Sequence, residues 1–239
     1  LLTPQGKIMF EFLIWRSEDG YVLETGSDQQ DQLLRRLTMY KLRAPVQLTA
    51  DEQPGVSVYW DETAPAGAVK DSRFSEAGVD LYRMPGTSSA QDASSYHQLR
   101  VAHGIVVAGL DYQLQDAFPH DVLMDVNEGV SFRKGCFVGQ EVVSRMKHRG
   151  TARRRVVTVT ADTDLPDSGT EILAAGKPLG VLGTVCGKQG LAIIRTDRAA
   201  DAMASDADIT AGSAAVTVAL PAWSGLSFPA ADPAVSSED

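Results

Sequence analysis

The sequence predicts an α+β fold, a mixed region of strands and helices followed by a small C-terminal β-barrel, and three observations carry the prediction. Strand-like and helix-like segments interleave up to about Gly150 without the regular alternation of a parallel βαβ sheet. Beyond Gly150 short β-branched runs are cut by Gly, Pro and Asp, the texture of a small barrel. The chain of 239 residues is 44% hydrophobic and 22% charged, a balance that supports a packed core and argues against disorder.

The elements follow in order. Lys7 to Trp15 is a β-branched and aromatic run after the turn residues Pro4-Gln5-Gly6, and Tyr21-Val22-Leu23 follows Glu18-Asp19-Gly20, which predicts a hairpin. Ser27 and Gln30 have the spacing of a capping box, and Leu33, Leu37 and Tyr40 recur at helical spacing until Pro45. Val46 to Leu48, Val56 to Trp60 and Val79 to Met84 read as short strands. Ala93 to His103 reads as a helix stopped by Gly104, and Gly139 to His148 as another stopped by Gly150. Val156 to Val159, Glu171 to Leu173, Val181 to Val185 and Leu191 to Ile194 are the barrel strands, with Ala214 to Leu220 as the closing strand. The stretches 199–208 and 229–239, rich in Ala, Ser, Asp and Pro, are expected to be a mobile loop and a mobile tail. The expected divisions are therefore 1–150, 151–228 and 229–239.

Composition excludes several function classes. No apolar run is long enough to span a membrane, and no secretory h-region is visible. Two cysteines, Cys136 and Cys186, cannot build a disulfide framework or a four-cysteine metal site, and they fit a reducing compartment. The expected location is cytoplasmic or, because the chain starts at Leu1 without an initiator methionine and an N-terminal part is expected to precede it, the mitochondrial matrix. The net charge of −9 argues against wholesale nucleic-acid binding.

Chemistry concentrates at Lys134-Gly135-Cys136-Phe137-Val138-Gly139-Gln140-Glu141. A lysine two residues away and a helix N-terminus just downstream both favour a thiolate at Cys136. Gly135 and Gly139 allow a sharp bend or close approach to a ligand, and Gln140 and Glu141 place polar groups in the first helical turn. The bland alternative is a small buried cysteine between turn glycines. Residues 133–155 hold eight basic side chains, Arg133, Lys134, Arg145, Lys147, Arg149, Arg153, Arg154 and Arg155, against the single acid Glu141. That surplus suits an anionic ligand, an acidic partner protein or tRNA, or else marks a solvated helix face. His97, His103, His120 and His148 have no zinc-site spacing, so no metal site is expected, and Cys186 reads as buried and inert.

The eight-residue string resembles the signature Lys-Gly-Cys-(Tyr/Phe)-x-Gly-Gln-Glu of the YgfZ family, folate-binding proteins related to the aminomethyltransferase (T-protein) of the glycine cleavage system, which include a mitochondrial iron–sulfur assembly factor. Leu99 to Ile105, Pro119-His120-Asp121, Gly129 to Phe132, Gly176 to Gly180 and Gly190 to Arg195 extend the resemblance over nearly the whole chain. It implies a ring-shaped folate-binding region with tetrahydrofolate in a central channel, followed by a barrel. Glu11 stands where the T-protein strand bears its catalytic aspartate, one methylene longer. Asp121 falls where a T-protein glutamate would bond the pterin, the alternative being a cap or surface charge. Arg100 is placed either to pair with a folate carboxylate or with a neighbouring acid.

The leading expectation is a tetrahydrofolate-binding accessory protein that assembles or repairs iron–sulfur clusters in client enzymes, including tRNA-modifying ones, with Cys136 as the key thiol and Arg145, Lys147 and Arg149 docking the partner. Whether it is an enzyme is left open by the sequence. Aminomethyl transfer to tetrahydrofolate is the alternative within the enzyme class, disfavoured by Glu11 and by the cysteine in the signature. A tRNA- or protein-binding module without chemistry is the third reading; Arg145 to Arg155 lacks the interleaved aromatics that base stacking requires.

Overall fold

The computed structural model describes residues 1–86, 92–150 and 152–230. A hairpin of β1 (Leu13–Ser17) and β2 (Gly20–Glu24) leads into α1 (Ser27–Tyr40). The strands β3 (Val56–Tyr59), β4 (Val69–Lys70) and β5 (Tyr82–Pro85) form a sheet in the order β3-β5-β4, with a 3-10 turn at Ser72–Ala77 between β4 and β5. Helix α2 (Ser94–His103) follows, then a long irregular segment, then α3 (Gln140–Arg149). Six strands close the barrel: β6 (Arg154–Ala161), β7 (Glu171–Ala174), β8 (Lys177–Cys186), β9 (Gln189–Arg195), β10 (Ile209–Ala211) and β11 (Ala214–Ala219), in the order β10-β11-β6-β9-β8-β7. A closed barrel leaves no unpaired edge, so each short strand satisfies its backbone on both sides.

Strands β6 and β9 explain how the two regions are joined. Side chains alternate across a strand. Val157, Val159, Ala192 and Ile194 point into the barrel core, while Val156, Leu191 and Ile193 face outward and pack with Ile8, Val101, Val106, Val122 and Leu123 of the first region. A strand buried on both faces reads as a continuous apolar run, which is what Leu191 to Ile194 is. A third, smaller cluster of Phe74, Leu81 and Ile105 ties the three-stranded sheet to α2.

Several elements differ from expectation. The first strand begins at Leu13, not Lys7; residues 7–12 run irregularly, with Ile8 docked by its backbone to Ala117 and Gln115. Ser27 is the first helical residue of α1 rather than its cap, and Gly26 precedes it without a side-chain cap bond. Val46 to Leu48 forms no strand, because no neighbouring strand meets this exposed stretch. The expected mobile loop at 199–208 is largely α4 (Thr196–Ala204): Ala199 and Ala202 are good helix formers and pack into the barrel core. The expected tail lies outside the described residues from 231 onward.

Candidate functional site

A cavity of about 190 Å³ opens beside Glu11, walled by Phe12, Arg73, Val106, Val122 and Met124 and bordered by residues 127–129. Glu11 sits in the irregular run before β1. Its Oε2 accepts the Ala108 N–H at 2.7 Å, its backbone N–H donates to the Gln29 side chain, and its carbonyl accepts from Thr25. Burial pushes the Glu11 carboxyl up; the Ala108 bond and the nearby Arg73 charge pull the other way. Tyr112 lies buried beside this carboxylate, and burial together with the Glu11 charge drives its pKa upward. Glu11 thereby offers the cavity a carboxylate acceptor.

Arg73 is held to the cavity wall by a charged cluster. Asp71 caps the 3-10 turn by accepting from the Arg73 N–H, and its two oxygens take Arg73 Nε at 3.0 Å and Nη2 at 2.7 Å. Arg83 reaches the same Asp71 at 3.5 Å, pairs with Glu24 of β2, and with Arg73 donates to the Tyr96 hydroxyl. Burial opposes the Asp71 charge, but the two guanidinium groups outweigh it and hold its carboxyl below the usual range. The arrangement fixes side chains on β2, β5 and α2 around one wall of the cavity.

From Gly129 the cavity border runs on into the signature loop. Cys136 is exposed on this loop, four residues before the first residue of α3. The turn into the helix is closed from both sides: the Gln140 N–H donates to the Phe137 carbonyl, and the Phe137 N–H donates to the Gln140 side chain at 3.2 Å. Lys134 is folded over the Phe137 ring, 4.6 Å from its centroid, and Lys147 of α3 lies 3.8 Å from the Phe132 centroid. The loop is thereby laid along α3 with Cys136 facing solvent between two lysines on aromatic supports.

The two signature glycines have different jobs. Gly139 has φ +82°, and a Cβ there would meet the Thr3 carbonyl oxygen at 2.5 Å and Gly6 Cα at 2.9 Å. Its reason is the close approach of the N-terminal turn to α3, not a ligand. A Cβ at Gly135 would meet nothing within 4 Å, so that position is open space. Glu141 is exposed and pairs with Arg145 one helical turn on.

Of the basic residues, Arg154 bonds Asp116, and Arg155 grips Asp125 at 2.6 and 3.0 Å while donating to the His120 carbonyl. Arg133, Lys134, Lys147, Arg149 and Arg153 remain exposed, with Arg145 partly neutralised by Glu141. The exposed surplus therefore lies mainly on the loop that carries Cys136 and on α3. Beneath it His120 is buried with neither ring nitrogen hydrogen-bonded, and burial holds its pKa down.

Two expected folate contacts are corrected. Arg100 is fully buried, and its guanidinium donates to Asp111 at 2.9 Å, the Ile105 carbonyl at 2.8 Å and Thr184 of β8 at 3.0 Å. It takes the other role the sequence allowed, pairing with a neighbouring acid, and no face of it is open to a carboxylate ligand. Asp121 is buried, accepts from the Phe118 N–H and lies 3.9 Å from Arg154, while Val122 and Met124 line the cavity instead. Burial pushes Asp121 up to about 6. Sequence reading missed Arg73, Asp111 and Tyr112; the local signals were Asp71 two residues before Arg73 and the acid in the Gly109-Leu110-Asp111 turn, while Thr184 and Glu11 come from far along the chain.

Among the described residues no three His, Cys, Asp or Glu side chains gather as a metal site. No helix there is long and apolar enough to cross a membrane.

The architecture defines a class: a T-protein-like α+β region carrying a small closed barrel. Its backbone is similar to glycine cleavage system aminomethyltransferase T from Bartonella henselae, with a TM-score of 0.58 at 13% identity over 92% of this chain and 74% of that one. Residues 153–226 match the CAF17 C-terminal beta-barrel domain. Within the class, the chain is similar to the mitochondrial iron–sulfur cluster assembly factor IBA57 homolog of Coccidioides immitis (strain RS), 32% identical over 66% of this chain and 45% of that protein. It is also similar to mitochondrial IBA57 of Homo sapiens, 27% identical over 82% of this chain and 64% of that protein. These similarities to the IBA57 iron–sulfur assembly factors, and of the barrel to that of CAF17, fit the relation suggested by the signature. It spans between 45% and 64% of the length of these two relatives.

Proposed function

We propose that this chain serves iron–sulfur cluster assembly or repair in client enzymes, tRNA-modifying ones among them, with Cys136 as the thiol that engages cluster or client and the Glu11 cavity as a tetrahydrofolate site. The observation that carries the reading is the exposed Cys136, set on a loop clamped by Phe137 and Gln140 and flanked by cations. A thiolate-ligated cluster is anionic, so Lys134, Lys147 and Arg149 favour its approach, and one exposed cysteine supplies one ligand while the client supplies the others. Arg145, Lys147 and Arg149 give an acidic client a docking face. The mitochondrial names of the relatives favour the matrix over the cytoplasm for this chain.

The cavity suits part of a folate. At about 190 Å³ it is smaller than the usual pocket for a drug-sized ligand, so it accepts the ring end with the tail outside. Glu11 would accept from ring N–H and amino donors, and Phe12, Val106 and Met124 would cover the ring faces. Bound tetrahydrofolate supplies reduced ring nitrogens able to carry a one-carbon unit; the chain's part is to hold and orient it.

The test is complementation of cells lacking the native gene with Cys136→Ala and Cys136→Ser, scored by the activity of iron–sulfur enzymes. Loss of client activity with both variants, at wild-type protein level, is expected. Full rescue by Cys136→Ala would make the thiol dispensable and end the reading. Turnover in a glycine-cleavage assay with lipoyl carrier protein would instead favour aminomethyl transfer.

A further inference from the structure

We infer that Asp111 is a positioning residue through which the barrel sets the orientation of Glu11 in the cavity; this rests on the reading of that cavity as a ligand site.

The barrel is shaped to receive Asp111. Strand β8 pairs with β9 through Leu182 and Ala192, then through Val185 and Gly190, so β8 carries one extra residue between these points. A bulge of this kind frees a backbone N–H from the ladder. The freed Thr184 N–H donates to Asp111 Oδ1 at 2.7 Å. Beside it Gly183 leaves the space that Asp111 fills: a Cβ there would meet Asp111 Oδ1 at 2.7 Å and its Cα at 3.0 Å. The second oxygen accepts from Arg100 at 2.9 Å and from the Val107 N–H at 2.8 Å. Arg100 returns to the same strand through Thr184 Oγ1. The carboxylate is thus buried and bonded on both oxygens, with the barrel on one side and the backbone of residue 107 on the other.

The next amide is the one Glu11 uses. Val107 N–H points to Asp111, and Ala108 N–H donates to Glu11 Oε2 at 2.7 Å. The turn that follows is closed by Asp111 N–H to the Val107 carbonyl and Gly109 N–H to the Tyr112 carbonyl, which also places Tyr112 near Glu11. A shift of Asp111 out of its socket moves residue 107, and with it the amide that holds the Glu11 carboxylate. The path from barrel to cavity is one carboxylate and two consecutive peptide units.

Gly183→Ala tests this from the barrel side, without touching the cavity. Gly183 has no positive φ, so alanine acts only by crowding Asp111. The readouts are the Glu11 titration midpoint by NMR on carbon-labelled glutamate and the affinity for tetrahydrofolate, with Val181→Ala on the exposed side of the same strand as control. Withdrawal of the Ala108 N–H is expected to raise the Glu11 midpoint by about half a unit or more and to weaken binding about tenfold. The control should change neither. Thr184→Val, which removes only the acceptor for Arg100, should move both readouts in the same direction by less, and it serves if Gly183→Ala does not fold. An unmoved Glu11 midpoint in a folded variant overturns the inference, whether or not binding weakens. A moved midpoint in a protein whose wild type binds no tetrahydrofolate leaves the positioning role standing and removes the ligand reading.

Discussion

The Glu11 cavity and the Cys136 loop are joined through the chain from Val122 to Gly129, yet they are built on opposite principles. Around the cavity charges are buried and matched: Asp71 with Arg73 and Arg83, Asp111 with Arg100, Glu11 with a backbone amide. Around Cys136 cations are exposed, supported on aromatic faces and mostly unpaired with acids. Buried pairs add little net stability but are costly to break, so they fix geometry. Exposed cations cost little and attract anionic partners. The contrast teaches that this molecule fixes its side chains rigidly around the cavity and leaves its charge open around Cys136.

The largest expected effect comes from breaking a buried pair. Arg100→Met leaves Asp111 charged, buried and short of one partner, and should cost about 3–5 kcal/mol in chemical denaturation. Glu141→Gln, which breaks an exposed pair on α3, should cost less than about 0.5 kcal/mol under the same conditions. Equal losses for the two would erase the distinction drawn between the regions.

The signature glycines sharpen the comparison next. Gly139→Ala forces a Cβ into the Thr3 carbonyl at a positive φ and should destabilise by about 2 kcal/mol or more, while Gly135→Ala should stay within about 0.5 kcal/mol. Thermal melting of the two variants distinguishes them. If Gly135→Ala nevertheless abolishes client activation with an unchanged melting temperature, the demand at that position comes from the partner.

A smaller, pH-dependent effect belongs to Asp121. Its folded pKa of about 6 lies above its value in the unfolded chain, so the folded state binds the proton more tightly. Its contribution is favourable below the unfolded pKa of about 4 and is lost as pH rises through about 6. Asp121→Asn should therefore gain on the wild type by roughly 2 kcal/mol on going from pH 4 to pH 7, read as the difference between their denaturation midpoints across that range. Identical pH profiles would place the Asp121 titration elsewhere.

What the sequence made legible follows from how local each signal was. Helices α2 and α3 end at Gly104 and Gly150, both left-handed, and a stop of that kind needs no tertiary information. Strands β6 and β9 showed as apolar runs because both faces are buried. Helix α4 was hidden because its alanines gain their role only against the barrel. At the site, the exposed loop with Cys136 was legible from its own string, and Glu11 through resemblance. Arg100 was seen and given an open choice that only the position of Asp111 and Thr184 decides. Arg73 and Tyr112 were passed over, since what brings them to the cavity wall and to Glu11 is the folding of distant segments around them.

The separation of the two regions is the central claim, and tetrahydrofolate affinity of purified Cys136→Ala beside Glu11→Ala measures it most directly. The expected result is a dissociation constant for Cys136→Ala within about twofold of wild type and one for Glu11→Ala at least about tenfold weaker, the scale of a lost bond to a charged acceptor. Comparable weakening by both, or binding that depends on the thiol and not on Glu11, would contradict the account.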